Sequence, residues 1–336
     1  MKTGSVLITG GAGYIGSHIV LACRAASHPV VVLDNLSTGQ RGLVPEGVPF
    51  YQGDVGDPRI VANILTRHAI TAVIHLAGLI VVPESVAAPL AYYLGNTCKS
   101  RSLLQACVDH GISRFVFSST AAVYGQPDAI PVTEDAPTRP ANPYGTSKLM
   151  AEWMLRDAAH AHDLRYVVLR YFNVAGADRL GRTGQATAGA THLIKVACEV
   201  AVGKRPQMEI FGDDYDTGDG TCVRDFIHVS DLARAHVSAL DYLSSGRDSL
   251  TLNCGYGHGY SVREVLDAVQ RIVGKPLVIC HAPRRPGDVA ALVAEASRLR
   301  AVFGWTPEHD SLDDILRTAL DWERRSAGAP GAAAPV

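Results

Sequence analysis

Tyr144 and Lys148 stand four residues apart in the run Asn142-Pro143-Tyr144-Gly145-Thr146-Ser147-Lys148, and this spacing carries the first sign of chemistry in the chain. Asn142 can cap a helix and Pro143 can fill its first position, which sets the phenol and the ammonium on one helix face. A phenol with an ordinary pKa of about 10 is a poor base at neutral pH. A nearby positive charge favours the phenolate and brings it toward the working range. Taken alone, such a pair also fits the surface of an amphipathic helix. The strand-like segment Phe117-Ser118-Ser119-Thr120 changes that reading, because it ends 24 residues before Tyr144 and offers the Thr120 hydroxyl. A hydroxyl, a phenol and an ammonium together can take a proton from a carbinol while hydride leaves its carbon. On its own Thr120 is equally a strand-end hydroxyl bonded to backbone.

A hydride needs an acceptor, and Gly10-Gly11-Ala12-Gly13-Tyr14-Ile15-Gly16 supplies a seat for one. The run follows the apolar stretch Val6 to Ile8 and leads into a helix-patterned segment. Gly10, Gly13 and Gly16 permit a tight turn, a close approach to phosphates and helix packing, while the helix N-terminus offers free N–H groups. Eighteen residues after Gly16, Asp34 closes a second apolar run, Val30 to Leu33. A carboxylate there accepts hydrogen bonds from a ribose diol and repels a 2′-phosphate, so the dinucleotide reads as NAD rather than NADP. No Lys-Ser or Lys-Thr pair follows the last glycine, which excludes the phosphate loop of NTPases.

The elements that must position these groups alternate along the first half of the chain. Strands are expected at Ser5 to Thr9, Val30 to Leu33, Val48 to Gln52, Thr71 to Leu76, Phe115 to Ser118 and Arg165 to Arg170, with helices over 14–25, 58–69, 86–110 and 143–161. The pattern predicts an α/β fold with a doubly wound parallel, Rossmann-type sheet. After Asn173 the chain turns to glycine- and aspartate-rich loops, which reads as a smaller, mixed C-terminal lobe at the strand ends, where open α/β sheets bind ligands. Phe226 to Val229 reads as a strand returning to the sheet and Ser230 to Ser244 as its helix. The expected division is a dinucleotide-binding domain over 1–175 with a returning segment at about 225–260, a substrate lobe over 176–224 and 261–326, and a disordered tail over 327–336.

The 336 residues allow a large α/β domain with an annex, and 31 Lys and Arg against 33 Asp and Glu leave no reason to expect nucleic acid or an anionic membrane as partner. The seven cysteines (23, 98, 107, 198, 222, 254 and 280) are scattered without metal-ligand spacing and read as buried thiols of a reducing compartment. His75, His192 and His228 are dispersed and read as polar packing, so no metal is assigned. There is no leader pattern and no apolar run of spanning length, so the expected location is the cytoplasm.

On these residues the chain resembles the extended short-chain dehydrogenases/reductases, and within them the UDP-glucose 4-epimerase family. The matching segments include Gly10 to His18, Leu33 to Leu36, Gly53-Asp54, His75 to Gly78, Pro83 to Val86, Ser118 to Gly125, Pro143 to Glu152, Leu169 to Asn173, Gly218 to Val229 and Arg284 to Asp288. The resemblance implies that Tyr144, Lys148 and Thr120 are catalytic. It implies that NAD is held by Gly10, Gly13, Tyr14, Ile15 and Gly16, by Asp34, Asn35, Leu36, Ser37, Thr38 and Gly39, and by Asp54 and Val55 near the adenine. Leu76, Ala77, Gly78, Leu79, Ile80, Asn96, Thr120, Tyr144, Lys148 and Phe172 complete that set. A UDP-sugar would meet Thr120, Tyr144, Asn173, His192, Leu193, Ile210 and Phe211, the last two around the uracil, with Arg224, Arg285, Asp288 and Leu292. The two arginines also make sense independently, since a diphosphate needs local positive charge in a nearly neutral chain, although a salt bridge of Arg224 with Asp225 or of Arg285 with Asp288 is the plain alternative.

The chain departs from the family in having Thr120 where Ser is frequent, Ile80 where Lys is frequent, and Gly95-Asn96 where two asparagines are frequent. The implied reaction moves hydride from C4 of the sugar to NAD and back on the opposite face through a 4-keto sugar. A 4,6-dehydratase would need an acid pair just after the catalytic hydroxyl, where Ala121 and Ala122 stand. A silent NAD-binding sensor would have no use for Thr120, Tyr144 and Lys148 together, and an epimerase of UDP-N-acetylhexosamine or of a UDP-pentose is the alternative reading. A homodimer is expected from the apolar excess on the stretches 86–110 and 143–161.

Overall fold

The computed structural model describes residues 4–328. Its centre is a seven-stranded sheet in which every neighbouring pair is parallel, ordered β3-β2-β1-β4-β5-β6-β11. The strands are β1 (Ser5–Thr9), β2 (Val30–Asp34), β3 (Phe50–Gln52), β4 (Ile70–His75), β5 (Arg114–Thr120), β6 (Arg165–Tyr171) and β11 (Leu250–Cys254). All six strands expected from the sequence fall within two residues of these bounds, β3 starting at Phe50 rather than Val48.

Near-continuous runs such as Val30–Leu33 are buried because helices cover both faces of the sheet. One face packs with α1 (Tyr14–Ala25) and α8 (Val229–Ser244) in a core that includes Ile8, Val32 and Leu232. The other packs with α2 (Pro58–Arg67), α5 (Lys99–Asp109) and α6 (Pro143–Ala161) in a core that includes Leu7, Phe115 and Leu155. The strand order reverses between β1 and β4, and at such a switch point the C-terminal strand ends part to leave a crevice.

Two expectations need correction. Phe226–His228 forms a strand, β10, but it pairs with β7 (Asn173–Ala175) in a separate two-stranded sheet. The returning strand is β11, which pairs with β6 in register Asn253 to Arg170. The continuous helix over 86–110 is instead α3 (Val82–Ala87), α4 (Pro89–Tyr92), one π-helical turn over Tyr93–Cys98, and α5. Pro83 and Pro89 each start a new helical segment, and the wide turn swings Asn96 inward.

The C-terminal lobe is built of small pieces: β8 (Met208–Phe211) with β13 (Ile279–Ala282), and β9 (Val223–Arg224) between β12 (Tyr260–Ser261) and β14 (Ala291–Leu292). The helices α7 (Leu193–Ala201), α9 (Val262–Val273), α10 (Ser297–Phe303) and α11 (Leu312–Gly328) complete it. Of the disordered tail expected over 327–336, residues 327 and 328 belong to α11 instead, and residues 329–336 lie outside the described residues. Among the described residues no helix is long and apolar enough to cross a membrane.

Candidate active site

A cleft of about 990 Å³ runs across the C-terminal ends of the sheet and under the smaller lobe. That is the upper end of the range for small-molecule sites, as two nucleotides side by side require. Its first wall is largely main chain. Gly10 has φ 74°, and a Cβ there would lie 2.8 Å from the Ala77 nitrogen, so only glycine lets the β1 turn pass so close to the end of β4. A Cβ on Gly16 would strike the Gly10 carbonyl at 2.1 Å, which is why α1 can begin directly against the turn. The N-terminus of α1 has no side-chain cap and no acidic residue in its first turn, leaving its N–H groups for an anion. Asp34 is fixed by the Ala12 N–H on Oδ2 (2.9 Å) and the Leu36 N–H on Oδ1 (2.8 Å), and each oxygen keeps a lone pair for a diol. This set fits a dinucleotide with an unphosphorylated adenosine ribose.

Thr120 and Tyr144 meet in the cleft, and Lys148 follows Tyr144 by one helical turn and lies just behind the cleft surface. Thr120 ends β5, its hydroxyl receives the Ala122 N–H at 3.1 Å, and it lines the cleft together with Tyr144. The helix carrying Tyr144 and Lys148 starts where the sequence places it: Pro143 is its first residue, and the Asn142 side chain accepts the Gly145 N–H at 2.9 Å. Burial raises the Tyr144 phenol above its ordinary range and the neighbouring Thr120 hydroxyl pulls it back down. Lys148 is buried, its Nζ lies 4.7 Å over the Phe117 ring, and a Cβ on Gly78 would come within 3.9 Å of it. Burial draws its ammonium down to about 8 against the upward pull of Glu152. In the protein alone, then, the phenol is governed by burial and by Thr120.

The second wall is made of side chains. Arg285 lies 4.6 Å over the Phe211 ring and pairs through Nε with Asp288 at 3.0 Å, so the plain salt-bridge alternative and a place in the cleft hold together for this residue. Arg224 does not pair with Asp225, which is buried and receives the N–H groups of Tyr256, Gly257 and Ala294; it reaches the Val223 carbonyl at 2.8 Å instead. His192 is held through Nδ1 by the Gln185 amide at 2.9 Å, and burial and then the charge of Arg285 keep its pKa below the usual imidazole range. Asn173, Leu193 and Leu292 also line this wall, and Phe172 stands where the two walls meet.

Five of the expected site residues stand behind the walls. Leu36 and Gly39 brace Asp34, Ile210 is buried in the core beneath Phe211, and Lys148 lies just under the surface near Gly78. Asn96 is spent on the protein: its Oδ1 accepts the Leu79 N–H (2.7 Å) and its Nδ2 donates to the Leu79 carbonyl and the Ser147 hydroxyl (both 2.9 Å). It pins the strand-end loop over α6. His75 is likewise internal, bonded to Thr9 (2.7 Å) and Ser100 (2.8 Å). Among the described residues no cluster of His, Cys, Asp and Glu could hold a metal ion.

Sequence reasoning missed two features. Glu152 accepts the Ser119 hydroxyl and a fork of Arg170 (Nη2 to Oε2, 2.7 Å); Arg170 also donates to the Tyr124 hydroxyl, which donates to Asn253. This buried chain ties the catalytic helix to β5, β6 and β11, and the signal was available, since Glu152 follows Lys148 at the same spacing as Lys148 follows Tyr144. Lys99, at the start of α5, also lines the cleft.

The model of the NAD dependent epimerase/dehydratase family matches residues 6–255. The chain belongs to this family. A UDP-glucose 4-epimerase of Azospirillum brasilense is 57% identical over 335 residues, which cover 98% of this chain and 96% of that one. Among solved structures, the chain is similar to a UDP-glucose 4-epimerase from Stenotrophomonas maltophila with bound NAD and formylated UDP-arabinopyranose (TM-score 0.92, 41% identity, 96% of this chain and 99% of that one). It is equally similar to one from Bifidobacterium longum in complex with NAD+ and UDP (TM-score 0.92, 39% identity, 96% and 99%). Membership makes NAD the cofactor, in agreement with the carboxylate at Asp34.

Proposed function

We propose that this chain interconverts UDP-galactose and UDP-glucose through a 4-keto sugar. The observation that carries the reading is the meeting of Thr120 and Tyr144 in one cleft, with Lys148 buried just behind its surface, between an NAD wall and a wall bearing Arg224 and Arg285. Bound NAD supplies a reversible hydride acceptor for C4. The chain's residues do the rest. Tyr144 takes the 4″-hydroxyl proton and later returns it, Thr120 bridges that hydroxyl and the phenol, and Lys148 holds a positive charge beside them. Gly10, Gly13, Tyr14, Ile15, Gly16, Asp34 and the segments 35–39, 54–55 and 76–80 hold the dinucleotide, with Phe172 against it. Arg224 and Arg285 hold the diphosphate, Phe211 the uracil, and Asn173, His192, Leu193, Asp288 and Leu292 the remaining surface of the UDP-sugar.

On this reading 1–175 with 225–260 form the NAD-binding part, and 176–224 with 261–326 form the lobe that closes over the UDP-sugar. Leu90 and Leu94 beside α6, with Met150 and Trp153 on it, are 79%, 58%, 37% and 46% exposed, and this apolar face fits a homodimer joined helix to helix. The seven unpaired cysteines fit the cytoplasm.

The test is conversion of UDP-galactose to UDP-glucose by the purified protein with no NAD added. Turnover in both directions is expected. A protein that holds NAD yet leaves both sugars unchanged would refute the assignment. The size of Leu292 favours a second, slower activity on UDP-N-acetylhexosamine, taken up below.

A further inference from the structure

Gln185 lies where the smaller lobe joins the second wall, and side chains from two helices hold it there. Its carbonyl receives Lys195 Nζ at 2.9 Å from α7 and Trp322 Nε1 at 3.1 Å from α11. Lys195 is buried, and its ammonium also reaches Glu323 Oε1 at 2.5 Å and Glu199 Oε1 at 3.2 Å, so all three of its donors are used inside the protein. The chain passes closely over the indole just before Gln185: a Cβ on Gly184 would lie 2.3 Å from Trp322 Cδ2. On the other flank Gln40 Nε2 donates to the Ala186 carbonyl at 3.0 Å. A buried ion pair adds little stability of its own, because desolvation offsets most of the attraction. What this one fixes is the place from which the Gln185 side chain starts.

That side chain ends on His192, with its amide nitrogen 2.9 Å from Nδ1. An amide N–H donates and cannot accept, so Nδ1 carries the lone pair and the ring proton sits on Nε2. The ring lines the cleft, and among the described residues Nε2 has no protein partner. Burial and then the charge of Arg285 disfavour the imidazolium, so the ring is neutral. The wall thus adds one N–H donor to its two guanidinium groups and no third positive charge.

We infer that Gln185 is a positioning residue that fixes His192 as a neutral Nε2–H donor toward a diphosphate oxygen of the UDP-sugar, and that Lys195, Trp322 and Glu323 hold Gln185 in place to do so. This rests on the UDP-sugar reading given above. The other tautomer would turn a lone pair toward the anion, and an imidazolium would grip it too firmly for a substrate that must leave. Gln185→Glu separates the possibilities, because a carboxylate accepts where the amide donates. The proton then belongs on Nδ1, and the new charge favours the imidazolium against Arg285, while Lys195 stays paired with Glu199 and Glu323. At low pH such a ring carries both N–H groups and still meets the diphosphate. As pH rises it loses the Nε2 proton first, so binding in the variant weakens with rising pH.

The experiment uses the holoenzyme carrying isotope-labelled histidine nitrogens, the His192 signals being those missing from His192→Asn. Wild type is expected to show a bare Nδ1 and a protonated Nε2 from about pH 7 to 9, with a Kd for UDP, measured by calorimetry, that stays level over that range. In Gln185→Glu the proton moves to Nδ1 and the Kd climbs roughly tenfold across the same range, the value of one hydrogen bond to a charged group, with NAD content and unfolding midpoint near those of wild type. Trp322→Phe keeps a ring under Gly184 but removes one donor to the Gln185 carbonyl, and should raise KM for UDP-galactose roughly threefold with kcat unchanged. The nitrogen signals are read without substrate, so a wild type inactive on UDP-galactose would refute the proposed reaction while the tautomer is still measured. A protonated Nδ1 in wild type, level UDP binding in Gln185→Glu, or an unchanged KM in Trp322→Phe would overturn the inference.

Discussion

One side of the cleft is lined by main chain and strand ends: the Gly10 turn, the Tyr14 end of α1, and Asp34 clamped by two backbone N–H groups. The other is lined by long side chains: Arg224 on the two-residue β9, Arg285 in the loop after β13, and His192 at the N-cap of α7. The first wall is continuous with a seven-stranded sheet and both of its cores. The second is a mosaic whose geometry depends on local pairs such as Arg285 with Asp288. A main-chain wall suits a cofactor that stays, because its shape cannot change without disturbing the sheet. A side-chain wall suits a substrate that leaves. Substitutions should therefore divide: those at or behind the first wall cost chemistry or folding, and those on the second change preference.

The largest effect belongs to the seam between the walls. Tyr144→Phe removes the proton carrier while leaving ring packing intact, and turnover should fall by roughly 10² to 10⁴, the span of a positioned acid/base, with NAD still bound. Steady-state assay together with the nucleotide content of the purified variant checks this. Near-normal epimerisation would move the base elsewhere.

Next comes the support behind the first wall. Glu152→Gln keeps the shape and the bond from Ser119 but leaves the Arg170 guanidinium, 9% exposed, without its counter-charge. Breaking one half of a buried pair costs about 3–5 kcal/mol, whereas replacing both halves is close to neutral. Urea unfolding should show that loss for Glu152→Gln and a much smaller one for the double variant Glu152→Gln with Arg170→Met. Equal losses would mean that the charges are not coupled.

The contrast between the walls also explains what could be read in the sequence. The Gly10 turn, Asp34, α1 and α6 follow local rules of spacing and capping, and their bounds were legible. The strand β11 was not, because Thr251 and Asn253 break its apolar run; Asn253 is buried to serve Tyr124, a partner 129 residues away. Phe226–His228 looks like a sheet strand since a three-residue apolar segment carries no information about its neighbour, which proved to be β7. Asn96 looked like a cofactor contact until the π-helical turn showed where its amide goes. The second wall stayed illegible except through resemblance, as its pairs join segments with no local pattern.

The third effect concerns acid. Burial and then the charge of Lys148 push His75 down to about 3, and burial pushes His18 and His236 to about 4. Each titrates near 6.5 when unfolded, so the unfolded chain binds the extra protons. Stability is complete above that pH and is lost as pH falls below it. At pH 5 the loss from His75 alone is about 2 kcal/mol. Unfolding midpoints at pH 7 and pH 5 should differ accordingly, and His75→Gln, which can still bridge Thr9 and Ser100, should narrow the gap. A midpoint unchanged between the two pH values would show that these imidazoles are not held neutral.

The smallest effect belongs to the second wall. Leu292 lines the cleft at the end of β14, yet it is only 8% exposed and packs with Ala121, Val132, Leu149 and Phe172, so both the pocket and the core reading of this residue hold at once. Its neighbour Val293 bonds through its carbonyl to Val132, and Val132 receives the Asn253 amide; the gate is therefore braced by the chain that begins at Glu152. A braced wall does not move aside for a larger side chain. Leu292→Tyr adds a ring and a hydroxyl toward the sugar, where an acetamido group at C2 would need the space. Pockets that differ by a few heavy atoms discriminate weakly, and the expected change is roughly fivefold to tenfold in the ratio of kcat/KM for UDP-glucose over UDP-N-acetylglucosamine. Wild type should turn over the N-acetylated sugar measurably but more slowly. Should wild type lack that activity, or should the Tyr variant keep the same ratio, the sugar end of the second wall must be set by residues other than Leu292.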